Sequence, residues 1–328
     1  YTVTDACGNS TTAQQTITID DTTAPTISCV ADQTRSTDTG VCTYTAVGAE
    51  FDPTATGDNC SIASITNDFN GTATMAGAVF PIGTTTVVWT ITDDCGNSHN
   101  CIFDVTVSDN ELPVIVCPSD LIDISADLGE CYATGVILGV PVTSDNCGVF
   151  SVTNNAPVQF PSGTTIVIWT VTDIHGNVAT CNQNVSVIDP EPPVITCPID
   201  VTIDCEDDNT PAGTGTATAT DNCTPVANIA ITYSDVSTYN ADPSNVLHYN
   251  YTITRTWRAT DVAGNYSECD QEITVQDVTA PVITCPIDVT IDCEDDNTPV
   301  GTGTATATDI CTPVANIAIT YSDVSTYN

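Results

Sequence analysis

Carboxylates and thiols carry whatever chemistry this chain can do, and both stand at fixed spacings. Asp21, Asp109, Asp189 and Asp277 each open an Asp-x-x-x-Pro-x-Ile-x-Cys motif. Asp58, Asp145, Asp221 and Asp309 each lie two residues before a cysteine, and Asp93, Asp173 and Asp261 each begin Asp-x-x-Gly-Asn. Hard cations take oxygen ligands from carboxylates, amides and carbonyls. That makes Asp21, Asp93, Asp109, Asp173, Asp189, Asp261 and Asp277 candidate calcium ligands, with Asp58, Asp145 and Asp221 expected in a loop at the same end. Carboxylates of two neighbouring domains could share an ion and stiffen the joint. The competing reading is that Asp and Asn serve turns by bonding their own backbone, and no Asp-x-Asp-x-Asp-Gly loop is present. The runs Glu206-Asp207-Asp208-Asn209 and Glu294-Asp295-Asp296-Asn297 read as solvated acidic turns.

Acid–base catalysis would need paired carboxylates in a concave pocket with shifted pKa values. No Ser/His/Asp or Cys/His pairing recurs along the chain, so an enzyme is not expected, and no cofactor beyond structural calcium. The 17 cysteines include no Cys-x-x-Cys, and His99, His175 and His248 are scattered. Zinc and redox motifs therefore fail on spacing. Disulfides in an oxidising, extracellular setting are the expectation.

Charge narrows the partners. Three basic residues (Arg35, Arg255, Arg258), no lysine and 42 acidic residues give a formal charge of −39. Nucleic acids and anionic membranes both require a basic surface, so neither is an expected partner. No apolar run reaches the roughly 18 residues that span a bilayer, so no membrane insertion is expected in this stretch.

The elements that must position these residues come from an internal repeat, the first thing to seek in such a sequence. The three motifs recur in fixed order, the third preceded by Trp89, Trp169 or Trp257, and Tyr1 to Asn9 is a lone copy of the third. This predicts the end of a truncated repeat at 1–20, complete repeats at 21–108, 109–188 and 189–276, and the first part of another at 277–328. Both ends then fall inside a domain, as in a window onto a longer array. The last two repeats are nearly identical over 189–240 and 277–328, which points to recent duplication.

Apolar residues alternate with a period of two, the mark of half-buried strands. Val87, Trp89 and Ile91 share one face, as do Val167, Trp169 and Val171; Cys101, Phe103, Val105 and Val107 continue the pattern, and Cys269, Gln271, Ile273 and Val275 match them. Cys197, Ile199, Val201, Ile203 and Cys205 are expected on one face of a single first strand. Gly96, Gly176 and Gly264 sit where a tight hairpin needs a positive φ. The fold class is all-β: a tandem array of disulfide-stapled immunoglobulin-like sandwiches of about seven strands each. Each tryptophan reads as a core residue. Bridge candidates are Cys29, Cys42, Cys60, Cys95 and Cys101; Cys117, Cys131, Cys147 and Cys181; Cys197, Cys205, Cys223 and Cys269; and Cys285, Cys293 and Cys311. Two bridges per repeat is the natural count, with the pairing left open.

The segments from Phe80-Pro81-Ile82-Gly83-Thr84-Thr85 through Trp89, Asp93, Gly96, Asn97 and Cys101 resemble the hyalin (HYR) repeat. Phe160 to Thr165 through Cys181 does so again. The fourth repeat lacks Phe-Pro-x-Gly-Thr-Thr. The resemblance implies an immunoglobulin-like extracellular module associated with adhesion. Cys197-Pro198-Ile199-Asp200 with Gly215 to Asp221 also resembles repeats of giant Bacteroidota surface adhesins of the SprB, gliding-motility type. That second resemblance implies type IX secretion, a bacterial cell-surface location, attachment to surface polysaccharide or substratum, and outer-membrane anchoring or motility machinery as partners. Neighbouring repeats of the same chain are the remaining expected partner.

The expected function is thus the stalk of a long adhesin. The alternatives are a glycan- or protein-binding repeat, for which Tyr233, Tyr239, Tyr249 and Tyr251 would speak, and a spacer array of a secreted enzyme.

Overall fold

The computed structural model describes residues 1–324; the last four residues of the predicted segment 277–328 lie outside the described residues. The chain forms two compact units, one of Tyr1–Asp120 with 137–156 and 166–184, the other of Leu121–Val136 with 157–165 and 185 onward.

In the first unit the architecture follows from strand Gly83–Asp93, whose Val87, Trp89, Ile91 and Asp93 point inward while alternate residues are exposed or half-buried. It pairs antiparallel with Ser98–Ser108, setting Cys101 opposite Trp89 and Phe103 opposite Val87. Ile62–Asn67 joins its other edge, and Gln33–Ser36 runs parallel to Ser98–Ser108 at the far edge. Two short antiparallel pairs, Thr26–Ser28 with Ala55–Gly57 and Thr43–Thr45 with Val79–Pro81, accompany this sheet. Phe51, Met75, Phe80, Val87, Trp89, Ile91, Phe103 and Val105 form the core, each at most 2% exposed. A buried indole N–H needs an acceptor, and Trp89 Nε1 donates to the Phe51 carbonyl at 3.1 Å.

The same sheet order returns twice more, as Leu121–Ser125, Val178–Ile188, Gly163–Asp173, Val149–Asn154 and as Val201–Asp204, Tyr266–Gln276, Tyr251–Thr260, Ala230–Ser237. In these two copies a buried glutamine replaces Phe103. Trp169 Nε1 donates to Gln183 Oε1 at 3.0 Å and Trp257 Nε1 to Gln271 Oε1 at 3.3 Å. The Gln271 amide in turn donates to the carbonyls of Ile199 and Thr214. All three tryptophans are core residues, as expected.

One strand expectation is corrected. Residues 197–205 are not one strand: Val194–Thr196 pairs with Thr218–Thr220, whereas Val201–Asp204 pairs with Tyr266–Gln276. Proline cannot donate to a ladder, and at Cys197-Pro198-Ile199-Asp200 the chain leaves one sheet for the other. Ile199 is accordingly 82% exposed rather than inward-facing.

The fourth repeat also replaces the Thr43–Thr45/Val79–Pro81 type of edge pair with the short helix Pro211–Thr214 and a loop carrying Val246–His248. Arg255 fills the space this leaves. It is 1% exposed, bonded to Asp235, Thr214 and the Asn209 carbonyl, and its guanidinium lies 4.7 Å from the Tyr233 ring.

Candidate functional site

Three turns converge at one end of each repeat, here called its head. The first is the hairpin between the two long strands. Gly96, Gly176 and Gly264 adopt φ of 92°, 94° and 93°, a region that L side chains avoid. Asp93 Oδ1 accepts from the backbone N–H groups of Cys95 and Asn97, and its Oδ2 from Asn97 Nδ2 at 2.8 Å. Asp173 repeats this with His175 and Asn177, and Asp261 with Asn265. Bonds to a charged carboxylate favour ionisation. The Asn97 bonds hold Asp93 below its ordinary pKa, and against the upward push of burial the Asn177 bonds hold Asp173 low as well. These three aspartates therefore do serve their turns.

The second turn follows Asp58, Asp145, Asp221 and Asp309. Asp145 Oδ1 accepts from Cys147 and Gly148 N–H at 2.9 and 2.8 Å, Asp221 Oδ1 from Cys223 and Thr224 at 2.9 and 2.6 Å, and Asp58 Oδ2 from Cys60 at 3.0 Å. The third is the chain entering the repeat, where Asp109 and Asp189 accept from the N–H two residues on, each at 3.1 Å. The hairpin asparagines tie these pieces together: Asn97, Asn177 and Asn265 donate to the carbonyls of Asp21, Asp109 and Asp189.

The result is a carboxylate cluster within each of two heads. One oxygen each from Asp21, Asp58 and Asp93 lie within 4.8 Å of one another, and so do oxygens of Asp109, Asp145 and Asp173. The members of each cluster come from a single repeat, not from two neighbours as the sequence suggested. In the fourth repeat burial, then the charges of Asp221, Asp261 and Glu191, push Asp189 above its ordinary pKa. The basic side chains are engaged elsewhere, Arg35 with Glu50, Arg255 with Asp235 and Arg258 with Glu268. His175 Nδ1, 3.2 Å from Asp109 Oδ2, is a basic contact of the third repeat's head. Asp277 and Asp309 meet beside Cys311 in the last segment.

The disulfides meet the same heads. One bridge lies within each complete repeat: Cys29–Cys101, Cys117–Cys181 and Cys197–Cys269. The second set joins neighbours: Cys42–Cys147, Cys131–Cys223 and Cys205–Cys311. The sequence counted two bridges per repeat and left the pairing open; the structure has one inside each complete repeat and one across to the next. The physical reason is placement. Cys42 and Cys131 lie at the tip of a loop that reaches the next repeat's Asp-x-Cys turn. Around the first clamp Asn146 Nδ2 donates to the Val41 carbonyl at 3.1 Å and Gly40 N–H to Glu111 at 2.9 Å. Around the second, Asn222 Nδ2 donates to the Glu130 carbonyl at 3.1 Å and Gly129 N–H to Glu191 at 2.7 Å. Cys7, Cys60, Cys95, Cys285 and Cys293 are unbridged among the described residues. Cys60 is the counterpart of Cys147, and a hydrogen bond to Asp21 pushes its thiol pKa up.

Sequence reading missed the clamps, because the spacing marks the cysteine of each turn but not the repeat that supplies its partner. The cysteine two residues after Asp58, Asp145, Asp221 and Asp309 keeps its place in every repeat. The tyrosines pack locally: Tyr233 on Trp257 with centroids 5.2 Å apart, Tyr239 on Tyr251 at 5.1 Å, and Tyr249 on His248 at 4.8 Å. Among the described residues no helix is long and apolar enough to cross a membrane.

Comparison with known proteins finds the HYR domain in residues 20–107 and 108–187. The chain is 32% identical over 305 residues to Hyalin of Lytechinus variegatus, covering 88% of this chain and 54% of that protein. It is 33% identical to Hyalin of Strongylocentrotus purpuratus, covering 87% and 24%. The chain thus spans about half and about a quarter of these relatives. Cadherin domains 3–6 of protocadherin gamma B2 align at 13% identity and a TM-score of 0.33, covering 83% of this chain and 77% of that one.

Proposed function

The chain belongs to the HYR domain family, an extracellular adhesion-type repeat, and from that premise we propose that it is a stalk segment of a long adhesin. In this reading each of 21–108, 109–188 and 189–276 is one domain, and the stalk carries an adhesive end lying elsewhere. The observation that carries it is the clamp: three times over, a cysteine of one repeat bonds the Asp-x-Cys turn of the next. A binding module needs no covalent link to its neighbour. A chain that transmits tension gains from one, because the link resists separation of adjacent repeats. The near-identity of the last two repeats favours repeated structure over repeat-specific ligand binding, and local packing already accounts for the tyrosines that a glycan site would use. The acidic heads make the joints candidates for stiffening by calcium. The motif resemblance to Bacteroidota surface proteins extends the reading to type IX export, a bacterial surface and gliding attachment, whereas the hyalin relatives are from Lytechinus and Strongylocentrotus.

Peptide mapping of the oxidised chain under non-reducing conditions tests the reading. Proteolysis should release Cys42 joined to Cys147 and Cys131 joined to Cys223. Finding Cys131 joined to Cys147 instead would remove the clamp and the stalk reading with it.

A further inference from the structure

We propose that the aspartate heads are calcium sites, one per repeat, built from Asp21, Asp58 and Asp93, from Asp109, Asp145 and Asp173, and from Asp189, Asp221 and Asp261. Calcium binding does not depend on the stalk reading; only its mechanical consequence does.

Clustered acids alone would be ordinary solvated turns. What sets these apart is where the unpaired polar atoms are. Buried polar atoms are nearly always hydrogen-bonded, and each exception asks for an explanation. Among the described residues eight buried side-chain nitrogen or oxygen atoms have no partner; six of them are oxygens at these heads and a seventh is the corresponding oxygen of Asp277 in the last segment. They are Asp21 Oδ2, Asp58 Oδ1, Asp145 Oδ2, Asn146 Oδ1, Asp189 Oδ2, Asp221 Oδ2 and Asp277 Oδ1. Asp189 is only 6% exposed, so its orphan oxygen has little access to bulk water.

The division of labour recurs. In Asp21, Asp58, Asp145, Asp189 and Asp221 one oxygen serves the turn and the other is free, so turn formation explains only half of each of these carboxylates, whereas Asp109 Oδ2 lies 3.2 Å from His175 Nδ1. Like charges gathered in a partly desolvated site disfavour ionisation unless a cation joins them. The three arginines are paired elsewhere, and the chain has no lysine.

The donor set identifies the ion. Carboxylate and amide oxygens are hard ligands, and the cysteines beside them at positions 147, 223 and 311 are consumed as disulfides; only the head of Asp21, Asp58 and Asp93 keeps free thiols among the described residues, Cys60 and Cys95. Calcium accepts irregular oxygen shells completed by water, whereas magnesium demands a near-ideal octahedron. Each site would sit on the joint: Asp109 directly follows strand Ser98–Ser108, and Asn146, whose Oδ1 is orphaned, hydrogen-bonds across to Val41.

Isothermal titration of the full 328-residue chain with calcium chloride at about 0.15 M NaCl, where diffuse ion binding is largely screened, tests this. The expected result is saturable binding of about three ions, or four if Asp277 and Asp309 suffice. Asp58→Asn and Asp145→Asn should each weaken their own site roughly tenfold or more and lower the count by about one. Glu272→Gln, which removes one exposed charge from the middle of strand Tyr266–Gln276, away from any head, should leave the count unchanged. Circular dichroism confirms that each variant folds, and if one does not, the wild-type count decides. No saturable binding up to roughly 10 mM calcium, well above the range of extracellular calcium modules, would overturn the proposal. So would a count that all three variants leave alike.

Discussion

The clamps make a length prediction that separates two disulfide patterns. Suppose the oxidised chain is held by click-reactive handles at the exposed residues Thr39 and Pro313 and pulled until the repeats unfold. The shortest covalent route runs from Thr39 to Cys42, across to Cys147, back to Cys131, across to Cys223, back to Cys205 and across to Cys311. That route contains about 39 residues. At roughly 3.3–3.6 Å per extended residue it cannot exceed about 130–140 Å. If the same cysteines were paired inside their own repeats, the route would pass through Cys29–Cys101, Cys117–Cys181, Cys197–Cys269 and Cys293–Cys311. It would then contain about 68 residues, or about 225–245 Å. Full reduction frees all 274 residues between the handles (313 − 39), about 900–990 Å. Single-molecule force spectroscopy resolves these lengths easily. An oxidised limit above about 200 Å would refute the cross-repeat pairing and the argument built on it.

Two further outcomes are expected. Gln271→Leu should destabilise the fourth repeat by about 1–3 kcal/mol for each buried group left unpaired, since the Trp257 indole and the Thr214 and Ile199 carbonyls lose their partner; urea unfolding followed by tryptophan fluorescence measures it. The heads should also respond to pH in two opposite senses. Asp93 and Asp173 have lowered pKa values, so they contribute stability that is present above the ordinary carboxylate value and lost as pH falls through their folded values. Asp189 is raised, so its cost is absent below the ordinary value and fully present above its folded one. In chelator at pH 7, Asp189→Asn should therefore raise the melting temperature by a few degrees (about 4–8 °C per kcal/mol for a domain of this size), while Asp173→Asn lowers it. A fall for both variants would contradict the assigned burden on Asp189.

Much of the architecture lies on the surface of the sequence. Alternation at Val87, Trp89 and Ile91 defines an inward face because side chains of a strand point to opposite sides with a period of two. Gly96, Gly176 and Gly264 mark the hairpin because few other residues accept the φ that it needs. That the aspartates of a repeat gather at one end was readable from their turn-forming positions, but their grouping within one repeat, rather than between two neighbours, was not. Tertiary structure alone decided the rest. Cys42 and Cys147 stand 105 residues apart, and no local pattern says whether a loop tip reaches its own turn or the next repeat's. Ile199 belongs to a perfect alternation, yet Pro198 breaks the ladder and sends the chain to the other sheet, so the pattern outlasts the strand. Whether an aspartate oxygen is spent on its own turn or left buried and unpaired depends on neighbours 30 to 70 residues away. Spacing names the carboxylates; only packing removes the water that would otherwise have satisfied them.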